Sequence, residues 1–293
     1  MDNAATTPLD SGVLEVMTET MKNVYGNPSS IHAAGRLART TIEDARKRIA
    51  NHLRASQGEI FFTSSATESN NTAIHGAIRD LGIKRIISSP TEHPCVLNSL
   101  ERVNHDTGIE IEMLHVDKNG RINLDELRDT LKNSSSPTLV SVMHANNEIG
   151  TIQDIKSIGD MCADHGALFH CDTVQTVGKH DIDVSSSNIS FLSGSGHKIY
   201  GPKGAGFLYV NGNNIIKPLI VGGGQEHMIM MNLDIYGICA SAGSACSSGA
   251  ENASHVIQAI GQSTDRKAMR FSFSHHNTIE EVDYVTNTLK NIL

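Results

Sequence analysis

The stretch TLVSVMHANNEIGTIQDIKSIGDMCADHGALFHCDT, Thr138–Thr173, carries one full cycle of the pattern that organises this chain. It opens on an apolar run (Thr138–Ala145), passes through the polar NNEIG, and continues as an amphipathic helical pattern over Ile155–His165. It then returns to a second apolar run, Ala167–Cys171. Short runs rich in Val, Leu, Ile or Phe separated by helix-like segments predict strands joined through helices. The same alternation extends in both directions. RIISS (Arg85–Ser89), IEIEMLHV (Ile109–Val116), ISFLS (Ile189–Ser193) and GAGFLYV (Gly204–Val210) read as strands, and Leu124–Lys132 as a helix. TTIEDARKRIANHLRA near the N-terminus reads as an exposed amphipathic helix. The expected fold class is α/β, a mostly parallel sheet covered by helices, with no internal repeat or low-complexity tract.

Composition narrows the function. The 293 residues carry a net charge of -8 with no long basic run, which points away from nucleic acid and anionic membranes and toward small molecules or proteins. No apolar stretch approaches the roughly 20 residues that span a bilayer, and MDNAATTPLD has no export pattern, so a soluble, cytoplasmic protein is expected. Five scattered cysteines without a C-x-x-C pair argue against a disulfide framework or a zinc site. Cys95, Cys162 and Cys171 read as small core residues. Cys246 differs, because SAGSACSSGA (Ser241–Ala250) surrounds it only with Ser, Gly and Ala, a solvated loop that isolates a thiol.

Ligands of such sheets sit beyond the carboxyl ends of the strands. After FFTS comes SATESN (Ser65–Asn70), either a plain helix cap or hydroxyls and amides at a helix N-terminus suited to a phosphate. NNEIG follows VSVMHA, Asp172 follows ALFHC with Gln175 three residues on, and GSGHKIYGPKG follows ISFLS with Ser195, His197 and Lys198. Taken singly, Asp172 reads as well as a cap or ion-pair partner, and Lys198 as a solvated lysine. Together they outline an anion cradle, a carboxylate and an amine, the three requirements of a pyridoxal phosphate site. No G-x-S-x-G follows a strand and the 15 histidines include no H-E-x-x-H, so serine hydrolase and metal readings gain nothing. SHHN (Ser274–Asn277) reads as a solvated cap.

The motifs DNAATTP (Asp2–Pro8), GNPSSIHAAGRLAR (Gly26–Arg39), FTSSATESNN (Phe62–Asn71), TEHPCVL (Thr91–Leu97), MHANNEIGTIQDI (Met143–Ile155), HCDTVQTVGK (His170–Lys179), SGSGHKIYGPKGAG (Ser193–Gly206) and SAGSACSSG appear in an order that resembles the cysteine desulfurases. These form the NifS/IscS branch of the class V aminotransferase superfamily. The resemblance implies a pyridoxal phosphate transferase of fold type I, with a seven-stranded, mostly parallel sheet in a large domain (11–226). A small α/β domain (1–10 and 227–293) would carry the Cys loop. It implies that Lys198 binds the cofactor aldehyde, that Asp172 pairs with the pyridinium nitrogen, and that His93 lies over the ring and moves protons. Ala66, Thr67, Ser195 and His197 would hold the phosphate, Asn147 and Gln175 the ring substituents, and Arg270 with Asn147 the substrate. The implied reaction takes sulfur from L-cysteine onto Cys246 as a persulfide and releases L-alanine. The sulfur would pass to an acceptor protein, an iron-sulfur scaffold or a tRNA-thiolation enzyme, from a homodimer.

One departure accompanies the match. In the family a turn like VGGGQE (Val221–Glu226) precedes an Arg-Ser-Gly-Thr motif, a long helix and the first strands of the small domain, none of which this sequence shows. The small domain is therefore expected to be incomplete, with a helix over Ser254–Ile260, a short strand near Arg270 and a helix over Ile279–Leu293. The alternatives are a selenocysteine lyase or another class V enzyme, and a catalytically dead scaffold.

Overall fold

The computed structural model describes residues 2–133, 135–220 and 271–292. Cys246, Arg270, the glycine-rich turn Val221–Glu226 and the expected helix over Ser254–Ile260 lie outside the described residues. In chain order the elements are α1 (Ser11–Asn23), α2 (Ala33–Leu53), β1 (Ile60–Thr63), α3 (Ala66–Leu81), β2 (Arg85–Ser88), α4 (Pro94–Thr107) and β3 (Glu110–Met113). They continue as α5 (Leu124–Lys132), β4 (Thr138–Ser141), α6 (Ile155–Asp164), β5 (Leu168–Asp172), β6 (Phe191–Ser195), β7 (Gly206–Val210) and α7 (Ile279–Ile292).

The seven strands form one sheet in the order β1-β7-β6-β5-β4-β2-β3. Pairs β3/β2, β2/β4, β4/β5 and β5/β6 are parallel. Strand β7 runs antiparallel to both neighbours, β6 and β1. The short connection between Ser195 and Gly206 explains this reversal, since a parallel return needs a crossover of about a dozen residues or more. The chain leaves β2 toward β3 on one side and later leaves β4 toward β5 on the other, so a crevice opens where the two connections part.

Successive residues of the inner strands feed two separate cores. Ile86, Leu139, Phe191 and Leu208 pack on one face with Ala73, Ile74 and Ala77 of α3 and Val96, Leu100 and Val103 of α4. Ile87, Val140, Leu192 and Phe207 pack on the other with Leu127 and Leu131 of α5, Ile158 and Cys162 of α6, and Ala50 and Leu53 of α2. A strand buried on both faces reads as a continuous apolar run rather than an alternating one. Each fully buried Leu, Ile or Phe contributes about 1.5–3 kcal/mol, so this doubly covered sheet is the rigid frame of the site.

The chain divides into two compact units, 1–14 with 45–219, and 15–44 with 220–293. Residues 1–10, assigned to the small domain on sequence, group with the sheet unit. Their backbone is the reason: the N–H groups of Thr7 and Asp10 donate to the carbonyls of His197 (2.9 Å) and Tyr200 (3.0 Å). In the second unit two glycines allow close approach. A Cβ on Gly26 would meet the Ala34 carbonyl oxygen at 2.2 Å, and one on Gly35 the Ser30 carbonyl oxygen at 2.1 Å.

Candidate active site

Four strand ends supply the site. At the β1–α3 turn Ser65 caps the helix: its backbone is extended (φ -172°) and its Oγ accepts from the Glu68 N–H at 3.2 Å. The Glu68 carboxylate reaches back to the Ser64 N–H at 2.8 Å. This holds the first turn of α3, with Ala66 and Thr67, at the pocket edge, where N–H groups precede intrahelical bonding and carry partial positive charge. At the β2–α4 turn His93 is itself the cap, its Nδ1 accepting from the Cys95 N–H at 3.1 Å, and Pro94 takes the first helical position.

Beyond β4, Asn146 ties its own turn by accepting from the N–H groups of Glu148 (2.8 Å) and Ile149 (3.0 Å), which leaves Asn147 on the pocket wall. Asp172 ends β5, only 4% exposed; its Oδ1 accepts from the Val174 N–H at 3.0 Å and its Oδ2 from Asn70 Nδ2 at 2.8 Å. Beyond β6 the turn Gly196–Lys198 directs His197 and Lys198 toward the same space. Lys198 Nζ donates to the carbonyls of Ala4 and, at 2.8 Å, Ala5. Gln175 Nε2 also donates to Ala4 O, at 3.0 Å, and His197 Nδ1 lies 3.1 Å from Thr6 Oγ1.

One pocket is thus lined by Ala66, Thr67, His93, Asn147, Asp172, Gln175, Ser195, His197 and Lys198, all the cofactor-site residues named on sequence. Ser65, Cys95, Met143 and Val174 complete its wall. Cys95 packs against the core beneath α3 and α4 but also lines the pocket. It is half-buried at the pocket, whereas Cys162 and Cys171 are fully buried. It sits one residue into α4 after Pro94, on the side facing Asn70 and His93. Asn70 was not singled out, although its position three residues after Thr67 puts the two on one face of α3, which is the signal that could have found it.

The electrostatics suit a bound anion and a carbonyl-reactive amine. Burial pushes the Asp172 carboxyl up, opposed by the Val174 N–H, Asn70, and the charges of His93 and Lys198. Burial lowers the Lys198 ammonium, helped by Lys179 and opposed by Asp172 and Asp2. A desolvated lysine gives up its proton more readily and becomes the better nucleophile. His197 is lowered by burial and by Lys198 and Lys203.

A doubly covered sheet whose strand ends bring a buried carboxylate, an amine and a helix N-terminus to one pocket has the layout of the enzymes that bind pyridoxal phosphate. The chain belongs to the aminotransferase class-V family, whose model matches residues 1–228 and 214–285. Cysteine desulfurase IscS of Dictyoglomus turgidum (strain DSM 6724 / Z-1310) is 34% identical over 375 residues, covering 100% of this chain and 94% of the relative. That alignment is longer than the 293 residues of this chain, so the relative carries, within the matched span, residues without a counterpart here. Among solved structures, SspA in complex with cysteine is 41% identical with a TM-score of 0.71, over 76% of this chain. The chain spans 65% of that solved chain, slightly under two thirds. The X-ray structure of a NifS-like protein from Rickettsia africae ESF-5 is 26% identical, with a TM-score of 0.70, over 99% of this chain and 98% of that one.

Pyridoxal phosphate is the cofactor of this family, and the residues present fit it. Lys198 would hold its aldehyde, Asp172 its ring nitrogen, and the first turn of α3 with Ser195 and His197 its phosphate. When bound, the group supplies an electron sink for a carbanion beside an amino-acid carboxylate.

Proposed function

We propose that this chain is a cysteine desulfurase that takes sulfur from L-cysteine, releases L-alanine and leaves a persulfide on Cys246. The observation that carries this reading is that the buried Asp172 carboxylate and the Lys198 amine line one pocket, in a chain whose relatives are named cysteine desulfurases. Asp172, in a low-dielectric setting, keeps a proton on the ring nitrogen that would otherwise be lost. Lys198 and His93 move the protons that leave and rejoin the substrate carbon. Arg270 grips the substrate carboxylate with its planar fork, and Asn147 and Gln175 orient what lies in the pocket. The Cys246 thiolate attacks the substrate sulfur; the new S–S bond forms as the C–S bond breaks, and the carbon keeps the electron pair and takes a proton.

Residues 11–226, joined by 1–10, which bond to His197, Lys198 and Tyr200, serve as the cofactor domain, and 227–293 as the part that carries the sulfur to its acceptor. The acceptor is a protein of iron-sulfur assembly or tRNA thiolation, and the working form is a cytoplasmic homodimer. No helix among the described residues is long and apolar enough to cross a membrane. A catalytically dead scaffold is the second reading, favoured by the residues that the Dictyoglomus relative carries and this chain lacks. Incubation with pyridoxal phosphate and cysteine separates the two. The desulfurase develops a visible chromophore that Lys198→Ala abolishes, and forms alanine with one sulfur atom added to Cys246, which Cys246→Ser abolishes. A chromophore without alanine leaves the scaffold, and alanine formed at the wild-type rate by Cys246→Ser overturns sulfur transfer through this residue.

A further inference from the structure

Behind the pocket lies a hydrogen-bonded chain whose directions are fixed by chemistry. A carboxylate only accepts, so the Asn70 atom 2.8 Å from Asp172 Oδ2 is its Nδ2. Asn70 Oδ1 then faces His170 Nε2 at 3.1 Å, and because an amide oxygen only accepts, that nitrogen carries the ring proton. His170 Nδ1 is therefore bare and accepts from Ser141 Oγ at 2.8 Å. Asn70, His170 and Ser141 are all fully buried, and burial holds His170 down at about 4, so the ring is neutral and this order is not scrambled by protonation.

The second N–H of Asn70 points at Cys95 Sγ, 3.3 Å away. Cys95 Sγ in turn lies 3.0 Å from His93 Nδ1, which already accepts from the Cys95 backbone N–H at 3.1 Å. With Nδ1 accepting, the proton of a neutral His93 sits on Nε2. Every donor and acceptor of the Asn70 amide is thus in use: Oδ1 toward His170, one N–H toward Asp172, and one toward the thiol beside His93.

Resting on the reading that the pocket holds pyridoxal phosphate, we propose that Asn70 is a positioning residue that sets both polar groups of the site. It holds Asp172 as the acceptor for the ring nitrogen, and it holds the Cys95 thiol against His93 Nδ1, whose tautomer the Cys95 backbone N–H already sets. Ser141 and His170 anchor it so that its amide cannot turn over. The ionisable groups around Asp172 are His93 and Lys198 with Glu92, Cys95 and Cys171. Among the described hydrogen bonds, Asn70 is the one side chain that bonds both Asp172 and Cys95.

The test uses the full chain loaded with pyridoxal phosphate and compares wild type, Asn70→Ala, Asn70→Asp, Cys95→Ala and Cys95→Ser. Asn70→Ala is expected to bind the cofactor roughly tenfold more weakly, the cost of one hydrogen bond to a charged group, and to shift the pH midpoint of the visible band. Asn70→Asp keeps the shape but cannot donate, and is read for the same changes should the alanine variant not fold. Cys95→Ala is expected to shift the pH profile of alanine formation, and Cys95→Ser, whose hydroxyl keeps both bonds, to restore it. Asn70 variants with the wild-type band, midpoint and cofactor affinity, differing only in melting temperature, would overturn the proposal. A Cys95→Ala profile identical to wild type would overturn its His93 half. A wild-type chain that develops no visible band sinks the cofactor reading itself, an outcome distinct from either.

Discussion

Glu92 stands at the residue scale as a carboxyl placed where a charge is poorly tolerated. Its Oε1 accepts from the Met143 N–H at 2.7 Å, while its Oε2 is buried with no hydrogen-bond partner among the described residues. Burial pushes its proton affinity well above the ordinary value of 4.5, and the Met143 N–H offsets only part of this. The sign follows from linkage. The folded chain holds a proton that the unfolded chain releases above pH 4.5, so stability is lost as pH rises through that range. Glu92→Gln keeps an acceptor for Met143 and is neutral at every pH. It should raise the denaturation midpoint at pH 7 by more than at pH 4, and an equal effect at both would show that charge is not the cause. The sequence announced residues of this site only where chemistry and position coincide. Asp172 and Lys198 stand at or just beyond strand ends in polar surroundings and His93 was implied by the resemblance, whereas Asn70 shows only through its spacing from Thr67 on α3, and Cys95 takes its place from a contact between α4 and α3.

At the scale of elements, α5 occupies the Leu124–Lys132 read from its periodicity, and α6 ends at Asp164, one residue short of the expected His165. Strand bounds drifted more. The run Thr138–Ala145 is a regular strand only to Ser141, after which Val142 and His144 donate to the carbonyls of His170 (3.1 Å) and Asp172 (2.9 Å) while the chain bends toward the pocket. Apolar runs carry no sign of direction, and the reversal of β7 shows only through the short connection from Ser195 to Gly206, a length the strand reading did not use. Helix α6 packs through a glycine: a Cβ on Gly159 would stand 1.8 Å from the Ser187 carbonyl oxygen. Backbone cannot yield as a flexible side chain can, so Gly159→Ala must push the helix off the 183–188 turn. A loss of about 1–3 kcal/mol or more in a denaturant titration is expected. By contrast, Gly166→Ala meets no atom within 4 Å and costs only the strain of φ +66°.

For the whole molecule, every residue lining the pocket belongs to the unit of residues 1–14 and 45–219. Cofactor binding then draws on that unit. Pyridoxal phosphate at a hundred times its dissociation constant should stabilise the folded chain by about 2.7 kcal/mol, read as a rise in melting temperature. A melting temperature that does not move would argue against the pocket as the cofactor site. The family and the sheet were legible across the chain because their motifs fall at strand ends in a fixed order. The grouping of the first ten residues with the sheet unit rests on hydrogen bonds to a distant turn, which no local pattern announces. Those bonds carry a further consequence. Thr7 Oγ1 donates to the His197 carbonyl across 190 positions of sequence, and Lys198 reaches Ala5 across 193. Thr7 and Ala5 therefore precede their partners by 190 and 193 positions and must wait for them during synthesis. They stay unpaired until the turn Gly196–Lys198 has itself been translated, so a nascent chain stopped before Lys198 lacks both a finished pocket and β7, the strand that joins β1 to the sheet.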